Sequence, residues 1–234
     1  MSTERARQEW RARVRAEYHS AAITAQLVHW MIVCGLPPEL IRTGQRVVSD
    51  ELDHARLSHD VVCAIGDDEA PEPVDLGAMC PTTSPLGIGA SLLEGVLRSL
   101  CVGETLAVPL FAAMRDQATH PVARAALERI VADEAVHSRF GWDVLDALIA
   151  LDPQGSCSHG ATLMPGIAAE VRRSYVDLPP HAPLTPGEAA LGMLSGEAYA
   201  AITLHSLRDT IGPRLARRGM ADLGGAVGLA VRTR

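Results

Sequence analysis

The segment SDELDHARLSH, residues 49–59, contains an Asp-Glu pair with a histidine three positions after the glutamate. The segment ADEAVHSRF, residues 132–140, repeats this order. The two copies consist of Asp50, Glu51, His54, Asp133, Glu134 and His137. On an α-helix, three residues advance about 4.5 Å and return to within about 60° of the same face. The glutamate and the histidine of each copy can therefore reach one metal ion.

The repetition distinguishes this pattern from an ordinary charged helix face. A chain with 14 Glu and 9 His contains roughly half of one Glu-x-x-His by chance, so a single copy would mean little. The chain has three Asp-Glu dipeptides, at 50, 68 and 133, and two of them have a histidine at the required position. Chance produces that in only a few cases per thousand. The sequence therefore favours a metal site.

Gly and Pro residues divide the chain around these motifs into long helical stretches. Apolar residues recur at intervals of three or four, which predicts four helices at about residues 3–34, 37–65, 87–117 and 122–150. Pro109 is predicted to kink the third helix. Residues 66–86 are rich in Gly, Pro, Asp and Ser and predict a long crossover between two helix pairs. The predicted fold class is all-α, with the connectivity of a ferritin-like four-helix bundle.

Two further helices are predicted beyond the bundle, at about residues 161–175 and 195–218, with a Pro-rich loop between them. Ser195 is a candidate cap for the last helix. We expect both helices to pack on the bundle. The predicted organisation is a bundle at residues 1–152 and a C-terminal helical extension of the same domain at residues 153–234.

The two helices without a motif each contain one suitably placed glutamate. Glu17 lies 34 residues before Glu51, and Glu104 lies 30 residues before Glu134. Since each turn falls near the middle of its interval, both glutamates reach the level of their partner motif. Glu104 lies in the otherwise apolar segment SLCVGETLAVPLF, where an unpaired carboxylate would be unfavourable. Glu17 and Glu104 are therefore candidate ligands.

From residue 17 to about residue 148 the sequence resembles the ferritin-like di-iron carboxylate superfamily. Its members include bacterioferritin, rubrerythrin, ribonucleotide reductase small subunits and bacterial di-iron monooxygenases. The resemblance implies bridging positions for Glu51 and Glu134, and a catalytic role for these two residues and Glu104. The six metal ligands that it implies are Glu17, Glu51, His54, Glu104, Glu134 and His137.

Asp50 and Asp133 strengthen the resemblance to the oxygen-activating branch of that superfamily. There, an aspartate before the ligand glutamate hydrogen-bonds a ligand histidine, which fixes its tautomer and strengthens it as a ligand. The resemblance implies two iron ions, or a Mn/Fe pair with the same ligands, and O2 as co-substrate. It also implies an external electron donor, either a reductase or a ferredoxin.

The expected function is a di-iron oxygenase or oxidase that hydroxylates, N-oxygenates or desaturates a small organic substrate. Ferroxidase or iron-handling activity and peroxide scavenging are the alternatives. The 80 or so residues after the bundle favour the enzyme, because storage proteins add only a short fifth helix. Space for a substrate is expected beside small or apolar residues of the inner helix faces: Ala21, Thr24, Val48, Ala55, Leu100, Cys101, Ala107, Val108 and Ser138.

The bulk composition limits the partners and the compartment. A net charge of −7 argues against binding to nucleic acid or to an anionic membrane, since both require a basic face. Five cysteines without a C-x-x-C spacing indicate neither a disulfide framework nor a structural zinc site. Without a predicted signal peptide or membrane span, a cytoplasmic protein is expected. The sequence leaves a homodimer open.

Overall fold

The structure is a computed structural model that describes residues 4–67, 83–179 and 182–220. Within these ranges the chain is all-α, without a strand, as the sequence predicts. Most of the predicted crossover lies outside the described residues. The bundle helices are α1 (Glu4–Val33), α2 (Pro38–Ala64), α3 (Ile88–Gly95, Val96–Gly103 and Glu104–Gln117 in direct succession) and α4 (Pro121–Leu151).

The four helices form a ring around one apolar core. Helix α1 packs on α2, α2 on α4, α4 on α3, and α3 on α1. Short turns at 34–37 and 118–120 make each sequential pair antiparallel. The core is built from side chains that recur along one stripe of each helix, among them Trp10, Leu27, Met31, Leu97, Leu100, Leu127 and Leu145. This arrangement brings the middle of all four helices to the same level.

Helix α3 is the most apolar of the four. By length and composition, Ile88–Gln117 could cross a membrane, with a mean hydropathy of 1.5 over its most apolar 18-residue window. Half of that window is buried against other parts of the chain. Its central segment, Val96–Gly103, is π-helical and ends directly before Glu104. The sequence did not predict this segment, and such π-helical insertions often occur at functional sites.

Helices α3 and α4 approach each other closely at Gly141. A Cβ atom at this position would lie 2.6 Å from the carbonyl carbon and 2.7 Å from the carbonyl oxygen of Leu100. The thiol of Cys101 donates a hydrogen bond to the carbonyl of Gly141, at 3.3 Å. A residue without a side chain at position 141 is therefore required for this contact, which holds the π-helical segment against α4.

The C-terminal part adds α5 (Pro153–Val171, continued by the π-helical turn Arg172–Val176), α6 (Pro186–Ala190) and α7 (Gly196–Ser206, Leu207–Ile211 and Gly212–Ala216). Helix α5 packs on α3 and α4, and α7 packs on α5 and α3. Ser195 caps α7 as predicted, accepting a hydrogen bond from the backbone N–H of Ala198. The predicted start of α5 at residue 161 was wrong. Asp152 ends α4 but also caps α5, because its side chain accepts from the backbone N–H of Gly155.

Candidate metal centre

All six predicted ligands meet in the interior of the bundle. The middle of each bundle helix contributes one or two of them, and none is more than 7% exposed. The cluster consists of Glu17 on α1, Glu51 and His54 on α2, Glu104 on α3, and Glu134 and His137 on α4. The motif pairs therefore share one helix face, as their spacing predicted. The ligand role of these residues stays a prediction.

The two histidine rings present the same edge to the centre of the cluster. His54 Nδ1 lies 3.5 Å from a carboxylate oxygen of Glu51 and 3.5 Å from one of Glu134. His137 Nδ1 lies 3.5 Å and 3.8 Å from the other oxygens of the same two glutamates. The ring centroids are 5.6 Å apart. Glu51 and Glu134 thus lie between the two imidazoles.

The oxygen and nitrogen atoms fall into two groups of four, each with all its atoms within 4.8 Å of one another. One group combines Glu17 and His54 with Glu51 and Glu134. The other group combines Glu104 and His137 with the same two central glutamates. Two groups that share two carboxylates are the arrangement expected for two adjacent ions bridged by Glu51 and Glu134.

The donor atoms satisfy a direct test of whether metal ions fit. Of the ten buried side-chain atoms without a hydrogen-bond partner in the described ranges, five belong to the cluster: Glu17 Oε1, Glu51 Oε2, His54 Nδ1, Glu134 Oε2 and His137 Nδ1. Buried polar atoms in proteins are otherwise almost always paired. Carboxylate oxygen and imidazole nitrogen suit iron, manganese and zinc, and the four glutamates match the charge of two divalent ions. The cluster could therefore hold metal ions.

Asp50 and Asp133 bind the histidines across the two motifs rather than within them. His54 Nε2 lies 3.1 Å from Asp133 Oδ2, and His137 Nε2 lies 3.3 Å from Asp50 Oδ2. A proton on each Nε2 leaves the lone pair of Nδ1 directed at the centre. Each motif therefore orients the histidine of the other copy, which ties α2 to α4 and explains why the aspartate appears twice.

Two supporting residues were not anticipated from the sequence. The guanidinium of Arg129 donates to Asp133, with Nε 2.6 Å from Oδ2, and its Nη2 lies 3.8 Å from Asp50 Oδ1. The Ser20 hydroxyl donates to Glu51 Oε1, at 2.9 Å. Arg129 stands four residues before Asp133 on the same helix, and that spacing is the signal that could have identified it. Ser20 comes from another helix, so no local pattern marks it.

The glutamates are not equivalent electrostatically. Burial, with the added negative charge of Glu51, raises the pKa of Glu17 well above its ordinary value. Burial and the charge of Glu104 likewise raise the pKa of Glu134. Burial also raises the pKa of Glu104, to about 7. Burial acts in the same direction on Glu51, but the imidazoles of His137 and His54, each with Nδ1 3.5 Å from its carboxylate, outweigh burial and lower its pKa to about 2. Without metal, the cluster therefore retains protons.

These shifts predict that metal affinity rises with pH. Burial would lower the pKa of His137, but the carboxylate of Glu51, 3.5 Å from its Nδ1, and the charge of Glu104 raise that pKa to about 9. Because bound metal requires a deprotonated Glu104 and a neutral His137, each ion must displace protons that the apoprotein holds at pH 7. We expect Zn(II) affinity to increase steadily from pH 6 to pH 9 in competition with a chelator. An affinity that is constant over this range would contradict the prediction.

The Asp133–His54 contact gives a second prediction. Replacing Asp133 by Ala should weaken metal binding about 10- to 100-fold, because His54 loses the group that fixes its tautomer. The control is Asp53→Ala, since Asp53 is exposed on α2 and its ion pair among the described residues is with Arg56, at 3.7 Å. Zn(II) titration of both variants is the measurement. Equal affinities in the two variants would show that Asp133 does not support the site.

A cavity of about 480 Å³ opens beside the cluster. The carboxylates of Glu17, Glu51, Glu104 and Glu134 form its inner end. Its remaining wall comes from α1, α3 and the C-terminal helices: Glu9, Ala12, Arg13, Ala16, His19, Ser20, Ile23, Ser99, Gly103, Ala107, Leu110, Phe111, Met114, Tyr175 and Tyr199. Of the residues expected to leave space for a substrate, Ala107 alone lines this cavity. The other eight do not line it.

Comparison of the chain with models of known protein families, with curated proteins and with solved structures finds no match. The likeness to ferritin-like proteins therefore depends on the ligand pattern and its arrangement in space. What the residues establish is an all-helical bundle with a buried cluster of carboxylates and imidazoles that could hold metal ions.

Proposed function

We propose that this chain is a ferritin-like di-iron protein that uses O2 to oxidise a small organic molecule. The observation that carries the proposal is the pair of overlapping ligand groups directly beside a cavity of about 480 Å³. A pocket of that volume is in the range of small-molecule sites. When bound, a pair of redox-active metal ions supplies O2 activation, which the side chains cannot perform alone.

The chain's own residues account for the remaining requirements of such a site. Glu51 and Glu134 would hold the two ions at a fixed separation, and Glu17 and Glu104 would complete one side of each. The side chains of Ile23, Leu110 and Phe111 provide an apolar wall that limits water beside the reacting atoms. Tyr175 and Tyr199, both from the C-terminal part, line the same cavity. The C-terminal helices thus supply part of the pocket, which supports an organic substrate over iron storage.

Glu104 lies where the cluster meets the cavity. Burial raises its pKa to about 7 in the metal-free protein, so binding of an ion would displace its proton. As a ligand, Glu104 would then hold its carboxylate beside a substrate in the cavity.

Anaerobic loading of the apoprotein with Fe(II), followed by addition of O2, tests the proposal. We expect two iron ions per chain and a reaction with O2 that stops after one turnover per chain unless an external reductant is supplied. The control is Glu128→Ala, because Glu128 is exposed on α4 and pairs only with Arg124 among the described residues. A stoichiometry far from two would refute the dinuclear site. Continued conversion of excess Fe(II) into ferric mineral would instead assign ferroxidase activity.

A further inference from the structure

The cavity contains a cation that no carboxylate of the described residues neutralises through a hydrogen bond. Among the described residues that line it, Arg13 is the only arginine or lysine. Its guanidinium lies over the ring of Trp10, with Cζ 4.3 Å from the ring centroid, and faces the ring of Phe111 at 5.2 Å. Its hydrogen bond goes to the thioether sulfur of Met114, at 3.2 Å, which is a weak acceptor. Most of its N–H groups therefore have no strong acceptor in the described part of the chain.

The aromatic contacts fix the orientation of this cation. A guanidinium that lies over an aromatic ring keeps its N–H edge available in the plane, and that fork matches the two oxygens of a carboxylate. Glu9, four residues before Arg13 on α1, accepts from the Tyr199 hydroxyl at 3.4 Å and forms no ion pair with Arg13 among the described residues. Among the described residues, no carboxylate accepts a hydrogen bond from Arg13, although its charge acts from a distance on Glu17.

Arg13 and the metal cluster line the same cavity. Glu17 follows Arg13 by one helical turn on the same face of α1, a rise of about 6 Å. The cavity connects the two, and Phe111, Tyr175 and Tyr199 line it with aromatic groups. A small molecule with a charged end and an apolar body could therefore lie in the cavity between the guanidinium and the carboxylates of the metal cluster.

We propose that Arg13 binds the carboxylate of the substrate, so that the substrate class is a small monocarboxylic acid with an apolar or aromatic body. This inference rests on the proposed function, in which the other end of the substrate reacts beside the metal cluster. Two divalent ions would neutralise the four glutamates at the inner end, so an anion one turn away is not repelled. A single arginine matches the single charge of a carboxylate better than the two charges of a phosphate ester.

Calorimetric titration of the zinc-loaded protein tests the inference without O2 or reductant. The probes are benzoate and butyrate, each compared with its neutral amide, benzamide or butyramide. We expect at least one acid to bind tenfold or more tightly than its amide, and Arg13→Gln to remove that preference. The control Arg56→Gln, at an exposed arginine of α2, should retain it. Phenyl phosphate is titrated in parallel.

The outcomes test the role of Arg13 independently of the proposed function. If no acid binds more tightly than its amide, or if Arg13→Gln keeps the preference because the acid binds zinc directly, the inference is wrong. Tighter binding of phenyl phosphate than of benzoate would also overturn the assignment to carboxylates. Arg13→Lys keeps the charge but not the fork, and should retain only part of the preference. The same titrations of metal-free protein measure the preference for acid over amide without zinc. They therefore test the role of Arg13 even if the chain holds no metal.

Discussion

Replacing Glu134 by Gln is expected to abolish the binding of both metal ions, whereas Glu104→Gln should abolish only one. Glu134 belongs to both four-residue ligand groups, and Glu104 belongs to one of them. A neutral amide is a poor substitute for a bridging carboxylate, since it carries no charge and offers only one oxygen. Metal analysis of the two purified variants after loading with Fe(II) or Zn(II) is the measurement.

In the metal-free protein, Glu134→Gln should raise the stability of the fold. Burial and the charge of Glu104 raise the pKa of Glu134 well above its ordinary value, so the folded state holds this proton more tightly than the unfolded state. That contribution to stability is complete below the ordinary pKa and is lost as pH rises through the folded pKa. At pH 8 to 9 we therefore expect metal-free Glu134→Gln to be more stable than the wild type by about 1–4 kcal/mol.

Thermal unfolding with and without Zn(II) separates the two effects. The wild type should gain stability with metal, by about 2.7 kcal/mol for each site when free metal is 100 times its dissociation constant. Glu134→Gln should gain none. The replacement Glu128→Gln on the exposed face of α4 serves as a control and should behave as the wild type. If Glu134→Gln still binds two ions per chain, Glu134 does not bridge them.

The sequence alone predicted which residues lie together in the cluster, because the helical periodicity determines their positions. Glu51 with His54 and Glu134 with His137 share helix faces by their spacing alone, and two short turns bring Glu17 and Glu104 to the same level. The all-α bundle follows from the same long apolar stripes. Those features are local, so they can be read along the chain without knowledge of tertiary contacts.

Other features depend on contacts between helices and therefore leave no local pattern. The crossed pairing of Asp133 with His54 and of Asp50 with His137 is set by how α2 faces α4. The cavity was expected among residues near the core, yet it opens towards α1 and α3 and is completed by Tyr175 and Tyr199. Both tyrosines come from helices that only tertiary packing brings to the site.

The π-helical segment before Glu104 is the clearest case of structure determined by packing. A π-helix adds a residue to the turn and changes the direction of the side chains that follow it, so the orientation of Glu104 depends on this segment being maintained. The contact that accompanies it is the approach of the Leu100 backbone to Gly141. Gly141 also lies four residues after His137, so it links the two halves of the candidate centre.

Gly141→Ala is therefore expected to be strongly destabilising. Its Cβ would lie within 2.8 Å of three Leu100 atoms, two of which belong to the backbone and cannot rotate away. Overpacking of this kind lowers stability by about 2–3 kcal/mol, which corresponds to a fall in Tm of about 5–10 °C for a chain of this size. The shift that relieves the clash must separate α3 from α4, so Glu104 should move away from Glu134 and metal affinity should fall as well.

Gly166→Ala provides a control with the opposite expected sign. Gly166 is exposed on α5, and a Cβ atom there would meet no side chain or neighbouring helix of the described residues within 4 Å. Alanine at this position should raise helix stability by up to about 1 kcal/mol. Thermal unfolding and Zn(II) titration of both variants form one experiment. A Gly141→Ala protein with the Tm and metal affinity of the wild type would show that the close approach of Leu100 does not position Glu104. Loss of both stability and metal affinity in Gly141→Ala, beside a Gly166→Ala protein that keeps both, would establish that packing between α3 and α4 sets the geometry of the cluster.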